Sequence, residues 1–516
     1  MTPPLPVRLR SWVRSVRPRR ADLRSDLIAG LAGAIPSVPD GMASASLVGV
    51  NPAYGLYASV AGPVGGGLTS STRMMVVTTT TAASLAAGSA LASVPADQRD
   101  HALITLTLIA GAAMVLAGVL RLGRYVRFVS RSVMLGFLSG VSVNIIFGQL
   151  VDLLGSSTDQ SLAITKAVDV LLHPGRIDVP TAVTGVAALL LLVGLDRTRF
   201  SLIASLVAVV VPTIAVILLG ADSVAQVSDS GTLPSGLPPL VLPQLSDLSP
   251  TIILGALSVA AIVLVQGAGV AESAPNTTGP PTRANQDFIG QGVGNVASGF
   301  LHGIPVGGSV SATALNRTAG ARSRWGAIWT GLWMLVILVA LSGVVGQVAT
   351  PTLAAVLIFV GVSSLRPREA IIVWRTGTTA RVAMSATFLA TLLLPVAAAV
   401  GAGLVVSLLL QLNRGALDVK LVRLERDEDG RIIESPAPAR LADREVVVLS
   451  IYGSLLYAGA RTLQTQLPDP AGALAPVVVL RLRGHTSLGS TFFAIGAAYA
   501  KQLEAVGGRL YLSGVD

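Results

Sequence analysis

The chain has no cysteine. Disulfides, thiolate metal sites and cysteine nucleophiles are therefore excluded. Histidine is scarce as well: there are four, widely scattered, which argues against a zinc cluster. Charge is the third shortage. Asp, Glu, Lys and Arg make up 12% of the 516 residues, against about 25% in a soluble domain. No nucleophile–base pair stands out, so an enzyme has little support. The basic N-terminus (Arg8, Arg10, Arg14, Arg17, Arg19 and Arg20) leads straight into apolar sequence, which argues against a cleavable signal.

What the chain does have is apolar mass. Hydrophobic residues make up 52% of it and the mean hydropathy is +0.70, which identifies an integral membrane protein. The 54 glycines and 29 prolines suit broken or closely packed membrane helices. A net charge of +10 invites a nucleic-acid reading, but the arginines flank apolar runs, as they do beside membrane spans.

A helix needs about 20 apolar residues to cross hydrocarbon about 30 Å thick, so charge-free runs count spans. Residues 27–39 are a short run ending at Pro36 and Pro39, which predicts a broken first span. Residues 41–72 complete it and hold a second, turning near Asn51-Pro52. Runs at 74–96, 102–120, 132–151, 181–195, 201–221 and 251–271 give the third to eighth. Residues 288–300 and 307–314 are too short to cross independently and predict a ninth span and a half-helix tenth. Residues 325–365 hold two more, and 382–413 a final pair split at Pro395. The total is about fourteen. With the N-terminus inside, Arg73, Arg121, Arg124, Arg127, Arg131, Arg197, Arg199, Arg283, Arg322, Arg324, Arg366, Arg368, Arg375 and Arg381 all fall in inside loops, while 222–249 carries no Lys or Arg.

Two stretches organise the chain, 34–84 and 266–324. Each joins apolar runs to a carboxylate, small residues, Pro and Ser/Thr. Paired interruptions in corresponding positions point to a binding site at the membrane midplane, and an odd number of spans per repeat inverts the halves. The expected fold is an all-α polytopic membrane protein of two inverted seven-span repeats, followed by a small cytoplasmic α/β domain. The expected boundaries are a basic N-terminus 1–24, repeats 25–221 and 250–413 around an outer loop 222–249, a charged linker 414–440 and the α/β domain 441–516. In that domain 445–451, 476–482 and 508–512 read as strands, and 455–466 and 490–506 as helices.

Three motifs carry a family resemblance. They are Pro39-Asp40-Gly41-Met42-Ala43 with the run 49–57, then Asn285-Gln286-Asp287-Phe288-Ile289-Gly290-Gln291-Gly292 with Asn295, and Gly303-Ile304-Pro305 with Asn316 and Gly320-Ala321-Arg322. The chain resembles the sulfate permease family of anion transporters, with a C-terminal STAS domain. The resemblance implies core and gate domains, an anion site between the half-helices of spans three and ten, and a homodimer. It implies sulfate or bicarbonate as cargo, with C4-dicarboxylate third. A nucleobase-type permease and a transport-inactive membrane-anchored signalling scaffold, whose tail captures a cytoplasmic protein, are the competing readings. The chain departs from the family in three places: Ala312 where many members have Arg, Thr78-Thr79 where Gly-Pro is usual, and Asp40 where Gln or Glu is common. The family's domain usually continues into another helix where this chain ends at Asp516, so a short or truncated STAS-like domain is expected.

Facing half-helix N-termini would supply N–H donors and about half a positive charge each. Thr78, Thr79, Thr80, Gly308, Ser309, Val310 and Ser311 are the expected anion ligands. Hydroxyls that merely bond back to their helix, with Gly for packing, are the structural alternative. Asp40 and Glu272 are expected near the membrane interior, where a carboxylate costs about 3 kcal/mol and is functional by default. Beside an anion, such a group must be protonated or hold a cation, which favours H⁺ or Na⁺ symport; in sodium-coupled relatives the acid matched to Glu272 helps bind the cation. The structural alternatives are a Glu272–Arg283 pair and a helix cap by Asp40 at the Pro39 break. His302 reads as a packing residue, and Arg283 and Arg322 as positive-inside anchors. Gly292 and Gly294 follow no strand and form no nucleotide loop. Ser487 or Thr486 is a candidate phosphorylation switch, with a helix N-cap as the alternative.

Overall fold

The computed structural model describes residues 16–514 except 129, 161, 231–239, 241, 244–247, 277–279, 395–397, 400, 404, 407–408, 410–418 and 486. The chain divides into two compact units, Met1–Leu404 and Val405–Asp516. The expected split at Pro395 lies outside the described residues.

The first unit is helical. In chain order it contains α1 (Arg20–Val48), α2 (Ala53–Thr69), β1 (Val76–Thr79), α3 (Thr81–Leu91), α4 (Arg99–Val119), α5 (Arg131–Gly148), α6 (Leu150–Leu154), α7 (Ala163–Leu172), α8 (Val179–Asp196) and α9 (Ala204–Leu219). Then come α10 (Pro250–Ser273), α11 (Ala284–Phe300), β2 (Val306–Ser309), α12 (Val310–Thr318), α13 (Trp325–Val345), α14 (Thr350–Ser364), α15 (Pro367–Thr376) and α16 (Thr378–Leu393). Among the described residues, five helical segments are long and apolar enough to cross a membrane: Ala96–Val119, Arg131–Leu154, Val179–Asp196, Ser201–Leu219 and Pro250–Ser273. The order helix, helix, short strand, half-helix occurs twice, in α1–α2–β1–α3 and α10–α11–β2–α12.

The expected break at Pro36 and Pro39 is not there. α1 runs for 29 residues through both prolines. Each proline removes one helical donor. Ser37 Oγ donates to Gly33 O at 2.8 Å, while the carbonyls that lose their donors to Pro36 and Pro39 are those of Ala32 and Ile35. The helix ends at Gly49 in the left-handed conformation (φ 82°).

Close helix contacts explain much of the glycine content. A Cβ on Gly55 of α2 would stand 1.7 Å from Gly41 O of α1, and one on Gly292 of α11 would stand 2.7 Å from Gly111 O of α4. Two buried carboxylates tie loops to helix starts. Asp287, 2% exposed, accepts from Ser71 N at 2.7 Å and Thr72 N at 2.9 Å, and from both hydroxyls. Asp26, 1% exposed, accepts from Arg322 N at 2.7 Å, Ser323 N at 3.1 Å and Ser323 Oγ.

The second unit is a five-stranded sheet, order β4-β3-β5-β6-β7, with two helices. Its elements are β3 (Lys420–Arg426), β4 (Ile432–Pro436), β5 (Val446–Tyr452), α17 (Tyr457–Gln466), β6 (Val477–Arg481), α18 (Ser490–Ala505) and β7 (Arg509–Ser513). β3 is antiparallel to β4 and β5, whereas β5, β6 and β7 are parallel. Val447, Leu449, Val478, Leu480, Phe492 and Leu503 are among its buried core. The segment read as a charged linker therefore supplies two strands. Arg423 of β3 pairs with Glu425 at 2.6 Å and with Glu445, just before β5, at 2.8 Å.

Gly55→Ala is expected to lower the thermal midpoint of the detergent-solubilised protein, with an overpacking cost of about 1–3 kcal/mol. Gly194→Ala, whose Cβ meets nothing within 4 Å, should leave it unchanged or raise it slightly. Equal midpoints for the two variants would remove the α1–α2 contact from the account.

Candidate functional site

The two broken segments meet. β1 and β2 pair antiparallel with Val76 opposite Ser309, Val77 opposite Gly308, Thr78 opposite Gly307 and Thr79 opposite Val306. α3 leaves one end of this ribbon and α12 the other, so each helix starts where its strand stops. Three residue steps at about 3.3 Å set the two N-termini on the order of 10 Å apart, pointing toward each other across the ribbon.

A two-stranded ribbon has two outer edges, and buried backbone groups must find partners. Helix α11 supplies them on one side. Asn295 Nδ2 donates to Val306 O at 2.7 Å while its Oδ1 accepts from Val306 N at 3.0 Å. One turn earlier, Gln291 Oε1 accepts from Gly308 N at 3.0 Å. On the other strand Val76 N donates to Thr313 Oγ1 at 3.0 Å. Gln291 and Asn295 are both fully buried. Their four-residue spacing places them on one face of α11, matched to alternate residues of β2.

The expected anion ligands cluster here. Thr78, Thr79, Thr80 and Ser309 are 5–8% exposed. Thr80 Oγ1 caps α3 by accepting from Ala83 N at 3.4 Å, and Ser309 Oγ caps α12 by accepting from Ala312 N at 3.2 Å. Ser309 and Ser311 hydroxyls lie 3.2 Å apart. Thr78 Oγ1 is buried without a hydrogen-bond partner among the described residues. The capping hydroxyls therefore bond to their own helices, while Thr78 retains an unused hydroxyl. Val310 opens α12, and Ala312 leaves its first turn without a cationic side chain.

Gly88 of α3 lies against α1, its Cβ direction 2.8 Å from Leu47 O. Asp40 stands seven residues before Leu47 on α1. Asp40 is half-buried, and its carboxylate has neither a hydrogen bond nor an ion pair among the described residues. It lies inside α1 and caps no helix break.

Glu272 is not brought to this cluster. α10 passes β2 at Gly267, whose Cα is 3.2 Å from the Cβ direction of Gly308. Glu272 is five residues on, about 7.5 Å along the helix, and exposed in its last turn. α10 continues to Ser273, two residues past the predicted end at 271. The α10 side chain beside the ribbon is Val263, whose methyls lie 3.1 and 3.3 Å from the Cβ direction of Gly307; Gln266, one residue before the contact glycine, has a buried Oε1 with no hydrogen-bond partner among the described residues. Glu272 and Arg283 do not form the ion pair weighed as an alternative: neither belongs to an ion pair among the described residues.

The remaining candidates lie elsewhere. His302, at φ 59°, stacks on Tyr54 with ring centroids 4.1 Å apart, and Tyr54 Oη donates to Asp100 Oδ2 at 2.6 Å. Arg283 N donates to Ser71 Oγ at 2.8 Å. Arg324, 6% exposed, donates to Gly67 O at 3.2 Å and Leu68 O at 3.0 Å, which closes the C-terminal end of α2. In the second unit Ser487 is exposed and Thr486 lies outside the described residues. Ser487 does not cap α18: the cap position is Gly489, with no side-chain bond, because the helix begins at Ser490. Among the described residues no His, Asp or Glu cluster suits a metal ion.

The sequence matches the model of a protein family, described as the sulfate permease family, over residues 23–410. It is 31% identical over 349 residues to the "Probable sulfate transporter MT1781" of Mycobacterium tuberculosis, a match covering 66% of this chain and 61% of that relative's length. It is 24% identical over 461 residues to the "Bicarbonate transporter BicA" of Synechocystis, covering 86% of this chain and 80% of the relative. The structure of murine Solute Carrier 26 family member A9 in the inward-facing state superposes with a TM-score of 0.83 at 16% identity, covering all of this chain and 90% of that one, a likeness of fold.

Asn295→Asp puts an oxygen where Nδ2 now faces Val306 O. The variant is expected to lose about 1–3 kcal/mol of stability, read as a lower thermal midpoint, with faster amide exchange at 306–308. Unchanged exchange there would mean that β2 does not depend on α11 for its outer edge.

Proposed function

The chain belongs to the sulfate permease family, and on that premise we propose that it is a secondary active transporter of small inorganic anions, sulfate or bicarbonate, coupled to H⁺ or Na⁺. The observation that carries this reading is the pair of half-helix N-termini at opposite ends of the β1–β2 ribbon. Together they offer about one positive charge and unused N–H donors, without a fixed cation. Thr78 Oγ1, on the ribbon itself, has no hydrogen-bond partner among the described residues. Thr79, Thr80, Gly308, Ser309, Val310 and Ser311 surround the anion in this reading, chiefly through backbone N–H groups.

Coupling is assigned to Asp40. An ionised carboxylate near the helix starts repels an anion; a protonated or cation-bound one does not. Cotransport of one positive charge through about 100 mV contributes about 2.3 kcal/mol, whereas a monovalent anion entering a negative cell alone is opposed by that amount. Glu272, exposed at the end of α10, is placed outside the coupling step. The protein resides in the cytoplasmic membrane with both termini inside, a reading supported by the arginine distribution, and works as a homodimer. Its STAS-like unit offers a docking surface for a cytoplasmic protein, with Ser487 exposed to modification.

The test is uptake of labelled sulfate and bicarbonate into proteoliposomes under imposed Na⁺ or H⁺ gradients. Wild-type uptake should follow one gradient. Asp40→Asn should abolish that dependence and Glu272→Gln should keep it. Gradient-independent exchange by the wild type would end the coupling proposal, and the reverse pattern in the variants would move it to α10. Absence of flux with either anion would favour another substrate class or a transport-inactive scaffold.

A further inference from the structure

Helix α12 has a held face and an open one. Thr313 and Asn316 are 1% exposed; Thr313 accepts from Val76 N at 3.0 Å and Asn316 Nδ2 donates to Met74 O at 3.2 Å. The other face, Ser311, Ala314, Arg317 and Thr318, is exposed. Ala314, Arg317 and Thr318 line a cavity of about 340 Å³. The open stripe starts at Ser311, beside the N-cap hydroxyl of Ser309, and reaches Arg317 six residues later, about 9 Å along the helix. One helix edge thus joins the proposed anion site to an open space.

Arg317 is the single cationic side chain of α12. One of its N–H groups donates to Ser273 O at 3.2 Å, in the last turn of α10. That uses one of five guanidinium donors. Glu272 is the acidic residue next to this contact, and no ion pair joins it to Arg317 among the described residues. An arginine in a helix's last turn also complements the helix dipole, and that role alone would leave anion affinity untouched. A lipid-facing position is disfavoured by the cost of burying the charge.

We propose that Arg317 is the anion-selecting residue of an aqueous vestibule that leads from the end of α12 to the two helix N-termini. It supplies at the mouth the positive charge that the first turn, with Ala312, lacks. An oxyanion pairs with the free guanidinium edge, sheds part of its water there, and moves up the Thr318–Ala314–Ser311 stripe to the helix starts. The inference rests on the transport reading above.

The native chain has no thiol, so Arg317→Cys creates a single modifiable position. In equilibrium exchange of labelled sulfate and bicarbonate, Arg317→Cys is expected to raise KM about tenfold, within the range by which a charged cleft concentrates its ligand. Its kcat should stay within about twofold of wild type, and the salt dependence of KM should flatten. A cationic methanethiosulfonate should restore the low KM, an anionic one should raise it further, and substrate anion should slow both labelling reactions. Wild-type KM in Arg317→Cys, or the same response to both reagents, would overturn the inference while leaving the transport reading intact. A wild type that exchanges neither anion would overturn both.

Discussion

The rest of the first unit depends on one requirement: two short strands buried in a helical protein must satisfy their outer edges. Unpaired backbone groups cost several kcal/mol each in a membrane interior. A lone β1–β2 ribbon would carry such groups on both sides. Asn295 answers with two hydrogen bonds to Val306 and Gln291 with one to Gly308, while Thr313 serves Val76. Side chains thereby act as a third strand. Because they sit on a helix with fixed rise, they set the register of β2 and so the position at which α12 begins. The geometry of the proposed site follows from an amide–backbone match rather than from any residue that would touch the anion.

The same logic extends outward. Asp287 gathers the amides and hydroxyls of Ser71 and Thr72 just before β1, and Asp26 gathers Arg322 and Ser323 just after α12. Each carboxylate belongs to the opposite half of the chain from the loop it holds. Arg324 meets the last carbonyls of α2. Glycine contacts such as Gly41–Gly55 let the helices approach closely enough for these bonds. The broken segments are short, and polar ties from neighbours replace what a longer helix would obtain from its own ladder.

How legible was this in the sequence? The paired interruptions at 78–81 and 305–313 were, because Pro, Gly and hydroxyl residues replace apolar ones there. The parallel strands of the second unit were, because EVVVLSI and PVVVLRL are continuous apolar runs. The motif at 285–295 was recognisable as a signature, but its purpose was hidden: buried Gln and Asn say nothing about partners until the opposing strand is known. Proline suggested a break in α1, but the helix runs through both prolines. Charge concealed β3 and β4, which pair with each other as antiparallel strands where the polar sequence reads as a linker. Glu272 stands out in the sequence as a carboxylate, whereas the α10 residues that meet the ribbon, Val263 and Gly267, carry no chemical signal.

The register of β1 against β2 also has a consequence for how the protein is made. Thr79 pairs with Val306, a sequence separation of 306 − 79 = 227 residues. At about 5–20 residues per second, a ribosome takes roughly 10–45 s to supply the second strand after the first. Throughout that interval β1 has neither its partner nor the Thr313 hydroxyl, and the loop before it lacks Asp287. The first half of the chain therefore enters the membrane with an unfinished centre, and its early helices must hold that gap against lipid and wrong partners until the second half arrives.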